Sequence, residues 1–470
     1  MCHLVAVLAF LGVAATLVTA VETSSAYSRS TISTCQGIAN AVSSASSVYY
    51  PGTSEDVGII LQILGENRTP FAIKGGGHIM NPGFSSTTGV QISMSRFRHV
   101  DYDPSSQTAT IGAGLVWDDV YSALDRYNVN VVGGRNSGVG VAGLALGGGY
   151  SWLTNQYGLV LDTIQMFQLV LPDGSVTNVT QSSDPDLFFG LKGGYNNFGV
   201  VTAFTLQTHP QGQVWGGTII YPNSSIKDVS AATVAFTTNV TDPKAAIITY
   251  YGYDEGNASF IIASVDIFYD APTPPDRIFD DFLAIPSLES NVQTRSFLSL
   301  VQAVTTAMPA TFRGYFDTVP LADVTSDFLD AVVAESEYWS KQLVSDSELL
   351  IVYGIEPFLP DILTHGGPSA YPWTRAQRYQ PTNVIFIWSN PAYDDDFANA
   401  AIQTTARLKS AAAQGANVDD AGIPSYPNYA FETTPVSQIW GSALPTLTYL
   451  KQVYDPDNVM SLAGGWKVPT

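Results

Sequence analysis

The sequence predicts an α+β protein built from two dissimilar units, and three observations carry that reading. Residues 50–210 alternate short apolar runs with glycine clusters in an α/β texture. From about Val214 the glycine density falls and longer strands and helices follow. Neither part contains an internal repeat or a low-complexity linker. The chain has 470 residues, 45% hydrophobic and 13% charged, which is enough for two or three packed folding units.

In the first unit, Ser54-Glu55-Asp56 is the expected cap of a helix whose apolar positions Val57, Ile60, Leu61 and Leu64 share one face. Short strands are expected over 71–74, 90–94 and 108–111. The stretch 117–127 returns to helical spacing, with Asp118 and Asp119 in the first turn, where the helix dipole favours anions. Strands over 165–171 and 176–179 flank Pro172-Asp173-Gly174 as a hairpin, and 198–206 is the last strand, ended by His209-Pro210. In the second unit, strands are expected over 246–251, 260–268, 349–353 and 384–388, and helices over 275–283, 326–343 and 395–413. Pro275 suits a first helical turn, where its missing N–H is harmless, and Ser326 suits an N-cap. Residues 421–470 form a compact tail.

The 20 basic and 41 acidic side chains give a formal charge of −21, which repels nucleic acid and anionic membrane surfaces, so neither is an expected partner. Residues 4–20 are continuously apolar or small and end in Val18-Thr19-Ala20, the pattern of a secretory signal peptide cleaved near Ala20. A retained anchor is the alternative, because His3 is the only potential cation before the run. A secreted or secretory-pathway protein is expected. Sequons at Asn67, Asn178, Asn223, Asn239 and Asn257 suit that route, although Pro70 follows the first directly. With Cys2 in the leader, Cys35 stands alone, so no disulfide forms within the mature chain. His3, His78, His99, His209 and His365 have no metal-ligand spacing, so no metal site is expected and the chemistry falls to an organic cofactor or ordinary side chains.

The most telling segment is Pro70-Phe71-Ala72-Ile73-Lys74-Gly75-Gly76-Gly77-His78, an apolar strand running into three glycines and a histidine. Consecutive glycines let backbone N–H groups approach a bulky anion such as a pyrophosphate. A plain turn followed by a surface histidine is the other reading of these residues alone. A dinucleotide fingerprint also stands at Gly138-Val139-Gly140-Val141-Ala142-Gly143, with Asp162 nineteen residues beyond. Its context argues against a nicotinamide site, because Gly133-Gly134-Arg135-Asn136-Ser137 separates it from the strand candidate at 129–132.

Taken in order, Gly75-Gly76-Gly77-His78, Ile111-Gly112-Ala113-Gly114, Gly138 to Tyr150, Asp184 to Gly190, Lys192-Gly193-Gly194, Asn197-Phe198-Gly199-Val200-Val201-Thr202 and Tyr454-Asp455-Pro456 resemble the berberine bridge enzyme-like flavin oxidases, the fungal members most of all. These share the FAD-binding fold of vanillyl alcohol oxidase and p-cresol methylhydroxylase. The resemblance covers about residues 45–470. It implies an α+β fold in which a two-part FAD-binding domain of the p-cresol methylhydroxylase type, 45–212, is followed by an inserted antiparallel sheet with helices, 213–420, that holds the substrate. Residues 421–470 then return to the FAD domain.

The resemblance makes His78 the covalent attachment point to the flavin 8α carbon, and places Lys74, Gly75, Gly76 and Gly77 about the pyrophosphate. Gly112, Gly114, Asn136, Ser137, Gly138, Val139, Gly140, Gly143, Val200 and Val201 would line the FAD. Doubly linked members carry a cysteine where this chain has Asn136, so a single histidyl link is implied, which weakens a sugar-oxidase reading. Val139 stands at the family's oxygen-gating position, where a small residue resembles the oxidases, so O₂ is the expected electron acceptor. Hydride transfer also needs a proton acceptor. The tail Tyr426-Pro427-Asn428-Tyr429 matches a region that brings tyrosines to the flavin; Tyr429 is the first candidate and Tyr426 the second. Each serves as a base only if its pKa falls from about 10. Glu356 and Trp388 are expected in the cavity. The expected activity is FAD-dependent dehydrogenation of a small organic substrate, such as a secondary metabolite. A secreted carbohydrate or alcohol oxidase and a catalytically silent scaffold are the alternatives.

Overall fold

A computed structural model describes residues 45–253, 261–304, 312–343, 349–376, 379–416 and 423–470. The leader 4–20, Cys2, His3, Cys35, Asn257 and the 420/421 boundary lie outside the described residues.

Two sheets form from the glycine-rich part. Strands β1 (Ser47–Tyr49), β2 (Phe71–Lys74) and β3 (Val90–Ser93) make a parallel sheet in the order β1-β3-β2. The helix Ser54–Glu66 supplies the crossover that parallel pairing requires, burying Val57, Ile60, Leu61 and Leu64 as its spacing predicts. Its cap is Thr53 rather than Ser54: the Thr53 hydroxyl accepts the Asp56 N–H, and Asp56 accepts the Thr53 N–H in return. Strands β4 (Val100–Asp103), β5 (Thr108–Gly112), β6 (Val129–Val131), β7 (Ile164–Val170), β8 (Val176–Thr180) and β9 (Val200–Pro210) build an antiparallel sheet in the order β4-β5-β9-β7-β8, with β6 paired to the far end of β9.

Strand β10 (Val214–Tyr221) opens a separate sheet with β11 (Ala245–Tyr253), β12 (Ile261–Tyr269), β13 (Glu289–Ser290), β14 (Gln293–Arg295), β15 (Arg313–Leu321), β16 (Leu349–Ile355) and β17 (Gln380–Trp388). Its order is β13-β10-β12-β11-β16-β17-β15, with β14 also on β10. Alternation sorts its side chains. Ile247, Tyr251, Val265, Ile351, Tyr353, Val384 and Phe386 pack beneath the helices Ile226–Asn239, Ser326–Leu343 and Asp394–Ala416, whereas Ala246, Ile248 and Phe268 join the core of the glycine-rich unit. Each large apolar side chain so buried contributes roughly 1.5–3 kcal/mol. The sheet is therefore a partition, with helices on one face and the glycine-rich unit on the other.

The tail closes on the first unit. Ala463 bridges Phe71 on β2, Trp466 meets Phe84 edge-on at 4.9 Å, and Asn197 donates to the Trp466 carbonyl at 3.0 Å. The expected helix over 275–283 shrinks to Asp280–Leu283, since Arg277 adopts φ 75, outside helical geometry. Thr325, not Ser326, caps the next helix, its hydroxyl accepting the Phe328 N–H. Among the described residues no helix is long and apolar enough to cross a membrane.

Candidate active site

Immediately after β2 the chain passes against the fingerprint segment with no room for side chains. A Cβ on Gly76 would lie 2.4 Å from the Gly140 Cα, and one on Gly140 would lie 2.6 Å from the Gly76 nitrogen. The two backbones touch, which only glycine at both positions permits. Gly138 and Gly143 differ: both are exposed, and a Cβ on either would meet nothing within 4 Å. Segments 75–78 and 138–143 thus meet backbone to backbone at Gly76 and Gly140, with open space beside Gly138 and Gly143. His78 is solvent-accessible, yet the protein mass around it lowers its pKa through desolvation. A side chain on the wall of a concave cleft has both properties, and its imidazole is neutral at neutral pH.

Asp118 fixes the rim, accepting the Ser137 hydroxyl at 2.6 Å and the Gly138 N–H at 2.8 Å. Gly112 and Gly114 owe their identity to packing, since a Cβ there would fall 2.3 Å from the Phe97 carbonyl and 1.9 Å from that of Met94. Asn136 and Val139 are partly exposed on the same segment, Lys74 ends β2, and Val200 and Val201 are buried at the start of β9. A cleft walled by glycine, open along 138–143 and carrying a neutral imidazole fits a flavin dinucleotide.

Where the cleft meets the large sheet, Arg135, Glu356 and Tyr429 form one cluster. Arg135 Nη2 donates to Glu356 Oε2 at 2.5 Å and to the Tyr429 hydroxyl at 3.1 Å, and that hydroxyl donates to Glu356 Oε1 at 3.0 Å. The Arg135 and Glu356 side chains are only 6% and 3% exposed. Asn81, three residues after His78, donates to the Ala430 carbonyl at 3.0 Å and ties the cluster to the His78 loop. Burial raises the Glu356 pKa against the pull of Arg135. Burial and the Glu356 charge raise Tyr429, with Arg135 opposing. Tyr429 therefore does not have the lowered pKa that a free phenolate base needs; its proton has a route to Glu356 instead.

Tyr426 is buried behind it, its pKa likewise raised by burial, and accepts from Asn428 Nδ2 at 3.0 Å. Asn428 is held in turn by the Tyr195 hydroxyl at 2.8 Å. Trp388 is not in the cavity. It stacks on Phe397 at 4.6 Å and donates to Asp394 at 3.0 Å on the helix-covered face, because its strand position has the opposite parity. Asp162 is engaged by Arg375 at 2.6 Å, which leaves no ribose role for it. Arg135 was missed by the sequence reading. Its signal was a lone cation between two glycine clusters in a chain with few cations.

Comparison with known proteins follows the same lines. The profile of the FAD binding domain family matches residues 45–180. An FAD-dependent monooxygenase of Aspergillus calidoustus is 30% identical over 444 residues, covering 90% of this chain and 82% of that protein. An uncharacterised FAD-linked oxidoreductase of Arthroderma benhamiae is 39% identical over 256 residues, 54% of this chain, which spans only about half (50%) of that relative. Among solved structures, 6-hydroxy-D-nicotine oxidase from Arthrobacter nicotinovorans superposes with TM-score 0.76 at 20% identity, covering 90% of this chain and 92% of that one. Berberine bridge enzyme in complex with (S)-reticuline gives TM-score 0.72 at 15% identity, covering 91% and 90%.

Proposed function

Since the chain belongs to the FAD-linked oxidoreductases and shares the fold of berberine bridge enzyme, we propose that it is an oxidase that dehydrogenates a small organic substrate, with O₂ as the final acceptor. The cluster of Arg135, Glu356 and Tyr429 beside the cleft carries this reading. FAD, when bound, supplies the two-electron acceptor for the substrate's hydride. Lys74, Gly75, Gly76, Gly77, Gly140 and Gly143 would hold the dinucleotide, Val200 and Val201 would wall it, and His78 would bond to it. Tyr429 Oη receives the substrate's O–H or N–H proton while its own proton passes to Glu356 Oε1 along the existing hydrogen bond. Arg135, donating to Glu356 Oε2, favours the ionised carboxylate against the burial that raises its pKa. Phe316, 5.8 Å from the Tyr429 ring, adds an apolar wall suited to an aromatic or aliphatic substrate, as in secondary metabolism.

Tyr429→Phe tests the assignment. Flavin reduction by a substrate found in a panel of alcohols, phenols and amines should slow about 10²–10⁴-fold, with flavin absorbance and melting temperature unchanged. An unchanged rate removes Tyr429 from the reaction. Acid precipitation tests the link: flavin should pellet with the wild-type protein and stay in solution with His78→Ala. The name of the Aspergillus relative, an FAD-dependent monooxygenase, suggests a second reading for this chain. Labelled O₂ separates the two, since an oxidase releases peroxide and a monooxygenase leaves one labelled atom in the product. For the secretory route, the exposed Asn178, Asn223 and Asn239 are the sites expected to carry glycans, seen as a mobility shift on enzymatic deglycosylation.

A further inference from the structure

The large sheet carries a second buried carboxyl on the face of the Glu356 cluster, and the reaction above leaves it unused. Asp266 on β12 lies in register with Thr218 on β10 and Ile248 on β11. The Thr218 hydroxyl donates to Asp266 Oδ1 at 2.5 Å, and Tyr250, two residues along β11 from Ile248, hydrogen-bonds to it as well. The Tyr250 ring lies over Gly354 of β16, where a Cβ would come within 3.1 Å of Tyr250 Cε1, and Glu356 follows two residues later with the same parity. Thr218, Asp266, Tyr250 and Glu356 thus form a row across the neighbouring strands β10, β12, β11 and β16.

The charged and titratable groups facing Asp266 are Arg135 from the glycine-rich segment and Tyr250 from β11, with Glu356 and Tyr429 beyond Tyr250. The guanidinium that hydrogen-bonds to Glu356 therefore also attracts Asp266, at longer range and without a direct contact. Ionising both carboxyls leaves an uncompensated charge in a low-dielectric interior, which is unfavourable, whereas ionising one leaves the site neutral. Glu356 has the direct contact and is the resting counter-ion. Once it accepts the proton from Tyr429, Arg135 has none, unless Asp266 supplies it.

We propose that Asp266 is the reserve counter-ion of Arg135: when Glu356 takes up the substrate's proton, Asp266 releases one to water at the partly exposed Thr218 edge, and the buried site stays neutral. This rests on the reading of Glu356 as proton acceptor. One O–H bond forms at Glu356, one breaks at Asp266, and no electrons move. Burial raises the Asp266 pKa to about 7 against the Thr218 hydroxyl, Arg135 and Tyr250, so the carboxyl holds a releasable proton near neutrality.

The test is the pH titration of the carboxylic-acid carbonyl band in infrared difference spectra of the flavin-loaded protein, with no substrate present. Asp266→Asn should abolish a band that titrates near neutral pH in the wild type. Thr218→Val, which removes a donor to the carboxylate, should move its midpoint up. Glu356→Gln leaves Arg135 to Asp266 and should move the midpoint down by about 1 pH unit or more. If Glu356→Gln does not fold, Arg135→Gln serves in its place, with the midpoint moving up. A band that survives Asp266→Asn, as it would if it belonged to the buried Asp317, overturns the proposal, and so does a midpoint that Glu356→Gln and Arg135→Gln leave unmoved. Failure of every substrate to reduce the flavin would instead overturn the oxidase reading, without touching these spectra.

Discussion

Gly143 offers a test that separates a glycine needed for folding from one that the proposed flavin site would need. It lies in the short helix Val141–Leu146, is exposed, and would place a Cβ in open space. Within a helix, alanine is favoured over glycine by about 0.8–1.0 kcal/mol. With nothing to collide with, Gly143→Ala should stabilise the flavin-free protein by up to that amount, a rise of about 1 °C in melting temperature for a protein of this size. If that open space is where the dinucleotide lies, the same methyl must weaken flavin binding. Gly76→Ala is the contrast, since its Cβ would lie 2.4 Å from the Gly140 Cα, backbone against backbone, and neither segment can yield cheaply. Overpacking of that kind costs about 1–3 kcal/mol. The assay is differential scanning fluorimetry of apoprotein and holoprotein, with the ratio of flavin to protein absorbance after purification. Gly143→Ala should give a more stable apoprotein with less flavin, and Gly76→Ala a less stable protein in both forms. Full flavin occupancy in Gly143→Ala would refute the placement of the cofactor along 138–143. An unchanged melting temperature in Gly76→Ala would refute the contact with Gly140.

Three further outcomes are expected. Val139→Leu, enlarging a partly exposed side chain on the cleft wall, should slow reoxidation of reduced flavin by O₂ about 10-fold or more in stopped-flow mixing; unchanged reoxidation removes Val139 as a gate. Glu356→Gln should slow flavin reduction about as much as Tyr429→Phe, and the double variant should be little worse than either alone, because the two side chains act as one unit. Asp266 should make stability fall with rising pH. Its pKa rises from 3.8 unfolded to about 7 folded, so the folded state binds the extra proton between these values, and a contribution of about 4 kcal/mol, present below pH ~4, is lost by pH ~7. Urea unfolding of wild type and Asp266→Asn at both ends of that window checks the sign, since the variant should show the smaller loss.

Much of the fold was legible in local pattern. The helix Ser54–Glu66 and the hairpin of β7 and β8 follow from apolar spacing and turn residues, which act within a few positions of one another. Less legible were positions set by a neighbour distant in sequence. The short helix Pro185–Leu191 and strand β4 carry little periodicity, and the 275–283 helix failed where Arg277 took a positive φ.

The candidate site divides the same way. Gly75 to His78, Gly138 to Gly143 and the tyrosines of the tail announce themselves, because a backbone cradle and an aromatic cluster need particular residue types in a row. Arg135, Glu356 and Tyr429 stand 221 and 294 positions apart along the chain, and Asp266 meets Thr218 across 48. No periodicity in one segment records a contact made by another. Nor does it record which carboxyl of an acidic chain is buried beside an arginine able to neutralise it. The sequence alone therefore determined the family, the candidate cofactor cradle and the strand and helix periods, all properties of residues close together in the chain. The tertiary structure decided that Trp388 faces the helices, that the Tyr429 hydroxyl donates to Glu356, and that Asp266 lies within reach of the same charge. Strand parity, burial and the separation of charges exist only once the large sheet is laid against the glycine-rich unit.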